Sequence, residues 1–274
     1  MHKRFVANII SRILLAVCFV MLVPLAWAIY DDLHSLEVKA FIGTIIFGIF
    51  IAGTILWFFR IKKADYKKIN AKDGLAIVGL SWIFLSAMGG LPLYFSHVVS
   101  SYTDAFFEIV SGFTTTGSTI FTDIESLPRG ILFWRSLTHW LGGMGIIVLY
   151  IALLPALGTN ASQLYKAEAP GLTVERAEPR IKETAKNLWT IYFLLSFLET
   201  VCLMMFDMPV FDALCHTFGT MATGGFSTKN ASIGAYGPGV QWIIFVFMVL
   251  AGVNFIIHYQ FTPFFSSNTH HIYF

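Results

Sequence analysis

Two short polar segments interrupt an apolar sequence and carry the residues best suited to ion chemistry. GFTTTGSTIF (112–121) places four threonines and a serine around two glycines, and MATGGFST (221–228) has a similar make-up. Backbone carbonyls from such loops can replace the hydration shell of a cation such as potassium, and threonine hydroxyls can add oxygen ligands. Glycine permits the backbone angles that this arrangement needs. The segments therefore predict cation selection.

The composition indicates a polytopic membrane protein. Of the 274 residues, 56% are hydrophobic and 12% are charged, and the mean hydropathy is +0.70, values unlike those of a soluble domain. The net charge of +2 argues against a nucleic-acid partner. The three cysteines lie in or beside apolar runs without a CxxC pair, so the sequence suggests neither a disulfide framework nor a zinc site.

Six apolar segments reach the length of ~20 residues that a membrane-spanning helix needs. They are residues 9–30, 38–60, 74–96, 131–155, 188–207 and 239–260. The first also resembles a signal peptide, because Lys3 and Arg4 precede it and the triplet 26–28 mimics a cleavage site. Its apolar stretch exceeds the usual ~7–15 residues of a signal peptide, which favours a retained helix.

The distribution of charge predicts the orientation. Most of the 18 basic residues lie in the N-terminus, the second loop and the fourth loop. They are Lys3, Arg4, Arg60, Lys62, Lys63, Lys67, Lys68, Lys72, Lys166, Arg176, Arg180, Lys182 and Lys186. Because basic residues accumulate on the cytoplasmic side of membrane proteins, both termini are predicted to be cytoplasmic. Four acidic residues of the outer loops are predicted to concentrate cations at the entrance: Asp104, Glu108, Asp123 and Asp212.

Two apolar segments between the predicted spans are too short to cross a membrane. TDAFFEIVSGFTTTG (103–117) and FDALCHTFGTMATGG (211–225) each predict a re-entrant half-helix followed by a polar turn. Non-helical backbone is tolerated at membrane depth only where protein buries it or where it lines a water-filled cavity. The negative C-terminal end of each half-helix would favour a cation beside the turn.

These two segments align as an internal repeat with a period of 107 residues. The aligned pairs are Gly112 with Gly219, Thr116 with Thr223 and Gly117 with Gly224, while Asp104 and Asp212 are slipped by one residue. Each repeat is predicted to contain a span, a half-helix, a polar turn and a second span. The spans 74–96 and 131–155 belong to the first repeat, and the spans 188–207 and 239–260 belong to the second.

The predicted fold is an all-α membrane protein with six transmembrane helices and two re-entrant pore half-helices. The predicted organisation is an N-terminal helix pair with a basic cytoplasmic loop (1–73), a first pore repeat (74–157), a cytoplasmic linker (158–187), a second pore repeat (188–260) and an atypical tail (261–274).

Four strings, in this order along the chain, closely resemble the Trk/Ktr/HKT superfamily of potassium transporters, and within it the bacterial TrkH and TrkG branch. They are SGFTTTGST (111–119), WRSLTHWLGGMGIIVLYIALLP (134–155), MATGGFST (221–228) and AGVNF (251–255), and the resemblance covers about residues 1–260. It implies potassium uptake across the bacterial inner membrane, with one filter loop from each repeat. The implied ion-binding residues are Thr115, Thr116, Gly117, Ala222, Thr223 and Gly224. Glycine in the first loop, where some sodium-preferring relatives carry serine, favours potassium.

The resemblance also implies partners. A TrkA-like cytoplasmic nucleotide-binding regulator is expected, with residues 158–187 as its docking surface or, alternatively, as a solvated linker. A homodimer is expected as well, and transport by symport with protons is left open. No cofactor is predicted, and no metal other than the transported potassium ion.

One departure from the family is large, because members have four repeats around one pore and this sequence contains two. The tail FTPFFSSNTHHIYF (261–274) shows no family pattern, which suggests a truncated or frameshifted product. Two loops cannot surround an ion, so the alternative function is a nonconducting fragment or membrane scaffold. An enzyme is not predicted, since neither a Ser, His and Asp constellation nor an HExxH motif is recognisable.

Several polar residues within the spans have two interpretations. Glu199 either pairs with Arg135 or is neutral among packed helices. Arg135 either supports the filter loop from behind or extends to the membrane interface, and the second is favoured. His139 and His216 are predicted to pack rather than to bind a metal. The glycines at 142, 143 and 145 are predicted to allow close helix packing.

Overall fold

The computed structural model describes residues 2–60, 71–153, 177–253, 255, 257 and 258, and their regular structure is entirely helical. The helices are α1 (Lys3–Val20), α2 (Leu22–Asp31), α3 (Leu36–Phe58), α4 (Ala71–Phe95), α5 (Tyr102–Phe113), α6 (Arg129–Leu153), α7 (Ala177–Met205), α8 (Val210–Met221) and α9 (Pro238–Gly252), and a 3-10 turn at Ser232–Ala235 precedes α9. The predicted all-α class is confirmed.

Among the described residues, four helical segments are long and apolar enough to cross a membrane: Lys3–Asp31, which joins α1 and α2, Leu36–Phe58, Lys72–Phe95 and Lys186–Met205. They correspond to the first, second, third and fifth predicted spans. Helix α6 has 25 residues and α9 has 15, so the count of six crossings stays a prediction. Large apolar side chains such as Phe19, Phe50 and Trp57 point outward from the spans, as lipid-facing side chains do.

Some predictions fall on residues that the structure does not describe. These are the basic residues at positions 62–68, most of the linker 158–187 and the tail 261–274. Helix α7 begins at Ala177, inside the predicted linker.

The two predicted half-helices are α5 and α8, and each has 12 residues. The chain order α4, α5, turn, α6 is repeated as α7, α8, turn, α9. Ser101 caps α5 by accepting a hydrogen bond from the backbone N–H of Thr103 at 3.1 Å, and Pro209 precedes α8. Both half-helices therefore have a sequence-encoded start, and both end at a polar turn.

Trp134 on α6 belongs to the largest core cluster of the described residues, which gathers side chains from α1 to α6 and from α8. Its side chain is completely buried. The indole N–H donates to the backbone carbonyl of Gly89 on α4 at 2.9 Å, and the ring packs edge-on against Phe113 at the end of α5. One side chain thus fixes the three helices of the first repeat relative to one another.

The N-terminus of α6 is held by helix α3. The buried carboxylate of Glu37 accepts a hydrogen bond from the backbone N–H of Ile131 at 2.6 Å. The first N–H groups of a helix have no partner within the helix, so an acceptor from elsewhere satisfies a donor that would otherwise be buried and unpaired. Arg129, the first residue of α6, pairs with Asp31 at the end of α2 at 3.0 Å. Helices α2 and α3 therefore position the start of α6.

We expect Glu37→Ala to reduce the free energy of unfolding by about 1–3 kcal/mol, because it leaves a buried N–H group without an acceptor. Glu37→Gln keeps an acceptor oxygen and is expected to lose less. Thermal unfolding in detergent, followed by tryptophan fluorescence, compares the two variants. Equal unfolding midpoints for Glu37→Ala and the unsubstituted chain would contradict the capping role.

Candidate ion-binding site

The first polar turn reverses the chain at the end of α5. The backbone N–H of Thr114 donates to Val110 at 2.9 Å and that of Thr116 donates to Ser111 at 2.9 Å. Thr115 has a φ of 54° and Gly117 a φ of 75°. A left-handed φ is unusual for threonine and costs it roughly 1–2 kcal/mol, so the surrounding packing must hold the turn in this shape.

The second polar turn repeats this backbone at the end of α8. Thr223 donates its N–H to Thr220 at 2.9 Å, and Gly224 donates to Gly219 at 2.9 Å. Thr223 has a φ of 52° and Gly225 a φ of 90°. The same local structure therefore follows both half-helices.

The backbone gives the repeat a period of 108 residues, and the predicted period of 107 is wrong. Tyr102–Phe113 and Val210–Met221 coincide at 108, as do the two left-handed threonines. Asp104 and Asp212 then align without slippage. The counterpart of Gly117 is Gly225, whereas Gly224 corresponds to Thr116. The sequence alignment matched glycine to glycine, which is ambiguous where two glycines are adjacent.

The two turns meet each other. A Cβ atom added at Gly117 would overlap the carbonyl oxygen of Gly224. Of the residues predicted to bind ions, Gly117 and Gly224 are thus brought into direct contact, with Thr116 and Thr223 exposed beside them. Ala222 is buried. Gly225, which the sequence prediction omitted, is exposed in the second turn, and the common offset of the two half-helices is the signal that would have identified it.

Helix α6 backs both turns. A Cβ atom at Gly142 would overlap the carbonyl oxygen of Phe113, and one at Gly143 would lie 3.0 Å from Ala222. The predicted packing role of these two glycines is confirmed. His139 is fully buried, and a Cβ atom at Gly224 would overlap its ring. One helix therefore contacts the first turn and the second turn with consecutive parts of its surface.

A buried ion pair lies behind the first turn. The guanidinium Nη2 of Arg135 is 2.6 Å from Oε1 of Glu108, and its Nε donates to the same oxygen at 2.7 Å. The carboxylate also accepts from the hydroxyl of Thr119 at 2.9 Å and from the backbone N–H of Ile120 at 3.0 Å. The pair thus connects α5, α6 and the chain that leaves the turn.

Arg135 also contacts the second turn. Its guanidinium carbon lies 4.3 Å from the centroid of the Phe226 ring and 5.2 Å from that of Phe121. A guanidinium stacked on an aromatic face gains cation–π attraction, which is stronger when water is excluded. Phe226 in turn packs on the ring of His139, with ring centroids 4.0 Å apart. Arg135 is therefore shared by the two repeats.

These contacts correct three predictions. Arg135 is 1% exposed, so the favoured interpretation, that its side chain extends to the membrane interface, is wrong. Its contacts agree with the other interpretation, in which it supports the first loop from behind. Its partner is Glu108, so of the two interpretations of Glu199 the pair with Arg135 is wrong. Glu108 is completely buried and neutralised, so it cannot attract cations at an entrance.

The outer loops of the two repeats are joined by Asn230. Its side-chain oxygen accepts from the backbone N–H of Ile124 at 2.7 Å, and its Nδ2 donates to Asp123 at 2.9 Å. The backbone N–H of Asn230 donates to Glu125 at 3.2 Å. The hydrogen bond from Asn230 lowers the pKa of Asp123 below its ordinary value. Asp123 and Glu125 remain exposed, and Glu125 lies 3.6 Å from the ammonium group of Lys229.

Other polar residues of the second repeat form hydrogen bonds, pack against aromatic rings or are buried. Asp212 accepts a hydrogen bond from the hydroxyl of Thr228 at 2.5 Å, and the His216 ring packs edge-on against Tyr236. Glu199 is completely buried. Among the described residues, no group of three or more His, Cys, Asp or Glu side chains is placed to hold a metal ion. The turns thus remain the candidate site, with oxygen ligands from the backbone and from threonine.

Comparison with known proteins identifies close relatives. The family model "TrkH: Cation transport protein" matches residues 37–272. The Trk system potassium uptake protein TrkH of Salmonella typhimurium is 41% identical over 264 residues, which are 95% of this chain and 53% of the relative. The Trk system potassium uptake protein TrkG of Escherichia coli is 37% identical over 261 residues, which are 94% of this chain and 53% of the relative.

A solved structure agrees with these relatives. The crystal structure of the potassium transporter TrkH from Vibrio parahaemolyticus matches with a TM-score of 0.79 and 35% sequence identity, over 94% of this chain and 52% of that chain. The present chain therefore spans about half the length of the relatives that it matches.

Removal of the guanidinium is expected to be costly. We expect Arg135→Gln to reduce the free energy of unfolding by about 3–5 kcal/mol, because it leaves the Glu108 carboxylate buried without its counter-charge. The double variant Glu108→Gln/Arg135→Gln should lose less than the sum of the two single variants. Thermal unfolding of all four proteins gives the coupling energy. Additive losses would show that the two side chains do not act as a pair.

Acidification is expected to weaken the contact between the outer loops. Since the pKa of Asp123 is lowered, its contribution is present above the ordinary value of 3.8 and is lost as the pH falls through the lowered pKa. Asn230→Ala should raise the pKa of Asp123 toward 3.8, and Thr122→Ala serves as a neighbouring control. Carboxyl NMR titration of aspartate-labelled protein, assigned with Asp123→Asn, measures the shift. An unchanged pKa in Asn230→Ala would be the contrary result.

Proposed function

The chain belongs to the TrkH family of cation transport proteins, and we propose that its two polar turns form part of a path for potassium uptake across the bacterial inner membrane. The observation that carries the proposal is the meeting of two turns with the same backbone, at Gly117 and Gly224. Each turn follows a half-helix of 12 residues.

The ligands in this proposal are backbone carbonyls of Thr115, Thr116 and Gly117 in the first turn and of Ala222, Thr223 and Gly224 in the second. Gly225 joins them, because its φ of 90° corresponds to that of Gly117. A potassium ion leaving water needs several oxygen ligands at once, and carbonyl groups held in place replace its hydration shell. Threonine hydroxyls at the exposed edge of the turns add further oxygens.

Electrostatics favours a cation at this position. Helices α5 and α8 both end at the turns, and the C-terminal end of a helix carries about half a negative charge. The positive charge of Arg135 does not oppose this field, because Glu108 neutralises it at 2.6 Å. The exposed carboxylate of Asp123 raises the local concentration of cations near the outer loops, whereas Glu125 is paired with Lys229 at 3.6 Å. The membrane potential then drives the cation inward.

The orientation follows from the basic residues. Lys3 and Arg4 begin α1, Arg60 follows α3, and Lys186 lies in α7 just before the apolar stretch. We place these ends on the cytoplasmic side, so that the polar turns open from the outer side and both termini are cytoplasmic.

The described residues supply two turns, and two turns cannot surround an ion. We therefore propose that the path is completed by further polypeptide, either the remaining repeats of a full-length family protein or a second copy of the chain. A TrkA-like cytoplasmic regulator and coupling of potassium to protons belong to the same proposal. The second candidate function is a nonconducting membrane scaffold, and the presence of only two turns in the described residues favours it for the chain on its own.

Rubidium uptake tests the two candidates. The chain is expressed in cells without potassium importers, alone and joined to the C-terminal remainder of the Escherichia coli relative, with membrane insertion checked in both cases. We expect uptake from the joined protein. If the chain alone is a nonconducting scaffold, it should show no uptake. Uptake by the chain alone would support assembly of copies. Absence of uptake from the well-inserted joined protein would overturn the proposed path.

Serine substitutions identify the filter positions. We expect Gly117→Ser and Gly225→Ser to reduce the preference for rubidium over sodium by about tenfold, a difference of about 1.4 kcal/mol, because a side chain disturbs the left-handed backbone that positions the carbonyls. Gly43→Ser is the matched control, since Gly43 on α3 has open space around its Cβ position. Competition uptake measures the preference. If Gly225→Ser leaves the preference unchanged, the filter glycine of the second turn is Gly224 and not Gly225.

A further inference from the structure

A groove of about 430 Å³ lies between α1, α3 and α4, and Tyr102 at the start of α5 also lines it. Its walls include Ile10 and Leu14 of α1, Ile51 of α3 and Phe84 of α4, and Lys3 stands at one end. Ligand sites of proteins occupy about 300–1,000 Å³, so the groove is large enough for a bound molecule.

The lining of the groove is almost entirely apolar. The hydroxyl of Ser11 donates to the carbonyl of Ala7 within α1 at 2.8 Å, and the hydroxyl of Tyr102 donates to the carbonyl of Ala87 at 2.7 Å. Both polar side chains of the wall are therefore satisfied inside the protein. Because apolar cavities exclude water and accept apolar molecules, the groove suits a hydrocarbon chain.

The α1 wall of the groove is about as long as one leaflet of a bilayer is thick, and the α4 wall continues to Leu91. Along α1 it extends from Lys3 to Leu14, and 11 steps of ~1.5 Å give a length of about 16 Å. The hydrocarbon core of a bilayer is ~30 Å thick, so each leaflet contributes about half of that distance. An acyl chain that enters beside Lys3 can lie along the groove with its end near the middle of the membrane.

The charges at the open end favour an anionic headgroup. Lys3, Arg4 and Arg60 are exposed there. The neighbouring acidic side chain of Asp73 is buried and already has partners. It accepts a hydrogen bond from the backbone N–H of His2 at 2.7 Å and lies 2.9 Å from the His2 ring nitrogen. Basic residues at the surface of a leaflet attract anionic lipids. The end of the groove is thus basic while its walls are apolar.

We propose that this groove binds one acyl chain of an anionic phospholipid from the leaflet in which the N-terminal end of α1 lies, with the lipid phosphate at Lys3. The acyl chain packs between three helices, and the headgroup interacts with the ammonium group of Lys3. The lipid would join α1 and α3, which precede the first repeat, to α4, which begins it.

Native mass spectrometry tests this site. The whole chain is placed in nanodiscs of equal phosphatidylglycerol and phosphatidylcholine and then transferred to detergent, and the retained lipids are counted. We expect retained phosphatidylglycerol to exceed phosphatidylcholine by about fivefold, since one lysine near an anionic surface contributes about 1 kcal/mol. Lys3→Gln should reduce this preference. Lys39→Gln, an exposed lysine near the start of α3, is the matched control.

A filled groove should retain neither lipid. Ala7→Trp places a large side chain in the groove, and Ala26→Trp, on the exposed side of α2, is its control. If Ala7→Trp does not insert into membranes, Ala7→Leu makes the same test with a smaller side chain. Equal retention of both lipids by the unsubstituted chain, or unchanged retention when Ala7 is enlarged, would overturn the proposal.

Discussion

The buried ion pair between Arg135 and Glu108 is the interaction on which the arrangement of both turns depends. Two charges removed from water carry a desolvation penalty of several kcal/mol each, which is repaid only with close geometry and additional hydrogen bonds. Here the guanidinium forms two short contacts to one carboxylate oxygen, and Ile120 and Thr119 supply further donors. Because the guanidinium face also packs on Phe226, displacement of this pair would disturb both repeats.

The polar turns illustrate how irregular backbone can exist at membrane depth. Non-helical segments need partners for their N–H and C=O groups, either from protein or from water in a cavity. On one side each turn folds back on its own half-helix, as in the bond from Gly224 to Gly219, and packs against α6. On the other side residues such as Thr116 and Gly225 are exposed. The protein thus supports the turns from behind and leaves their polar edge exposed.

The two repeats have the same backbone at the turns, but different side chains pack behind each turn. Both half-helices and both left-handed threonines recur at 108 residues. The residue equivalent to Glu108 is His216, which packs on Tyr236 instead of forming an ion pair. The second turn is therefore supported through Phe226, His139 and Arg135, all of which belong to the contact with the first repeat. This dependence explains why the two turns meet rather than forming two separate sites.

The sequence alone determined the class of protein, the two half-helices and the composition of the turns, because hydropathy, helix starts and glycine-rich polar strings are local properties. It also marked Gly117, where the first left-handed glycine lies. It could not determine the register of the second turn, since Gly224 and Gly225 are chemically identical and only their backbone angles distinguish them.

The tertiary structure alone decided the partners of the buried charges. Glu108 and Arg135 are 27 residues apart, and the sequence suggested Glu199 as a possible partner instead, because no local pattern records which helices pack together. The role of Asn230 was hidden for the same reason, since its hydrogen bonds reach loop residues more than 100 positions away. Such contacts depend on how α5, α6 and α8 meet, and that geometry is set by the packing of the whole helical assembly.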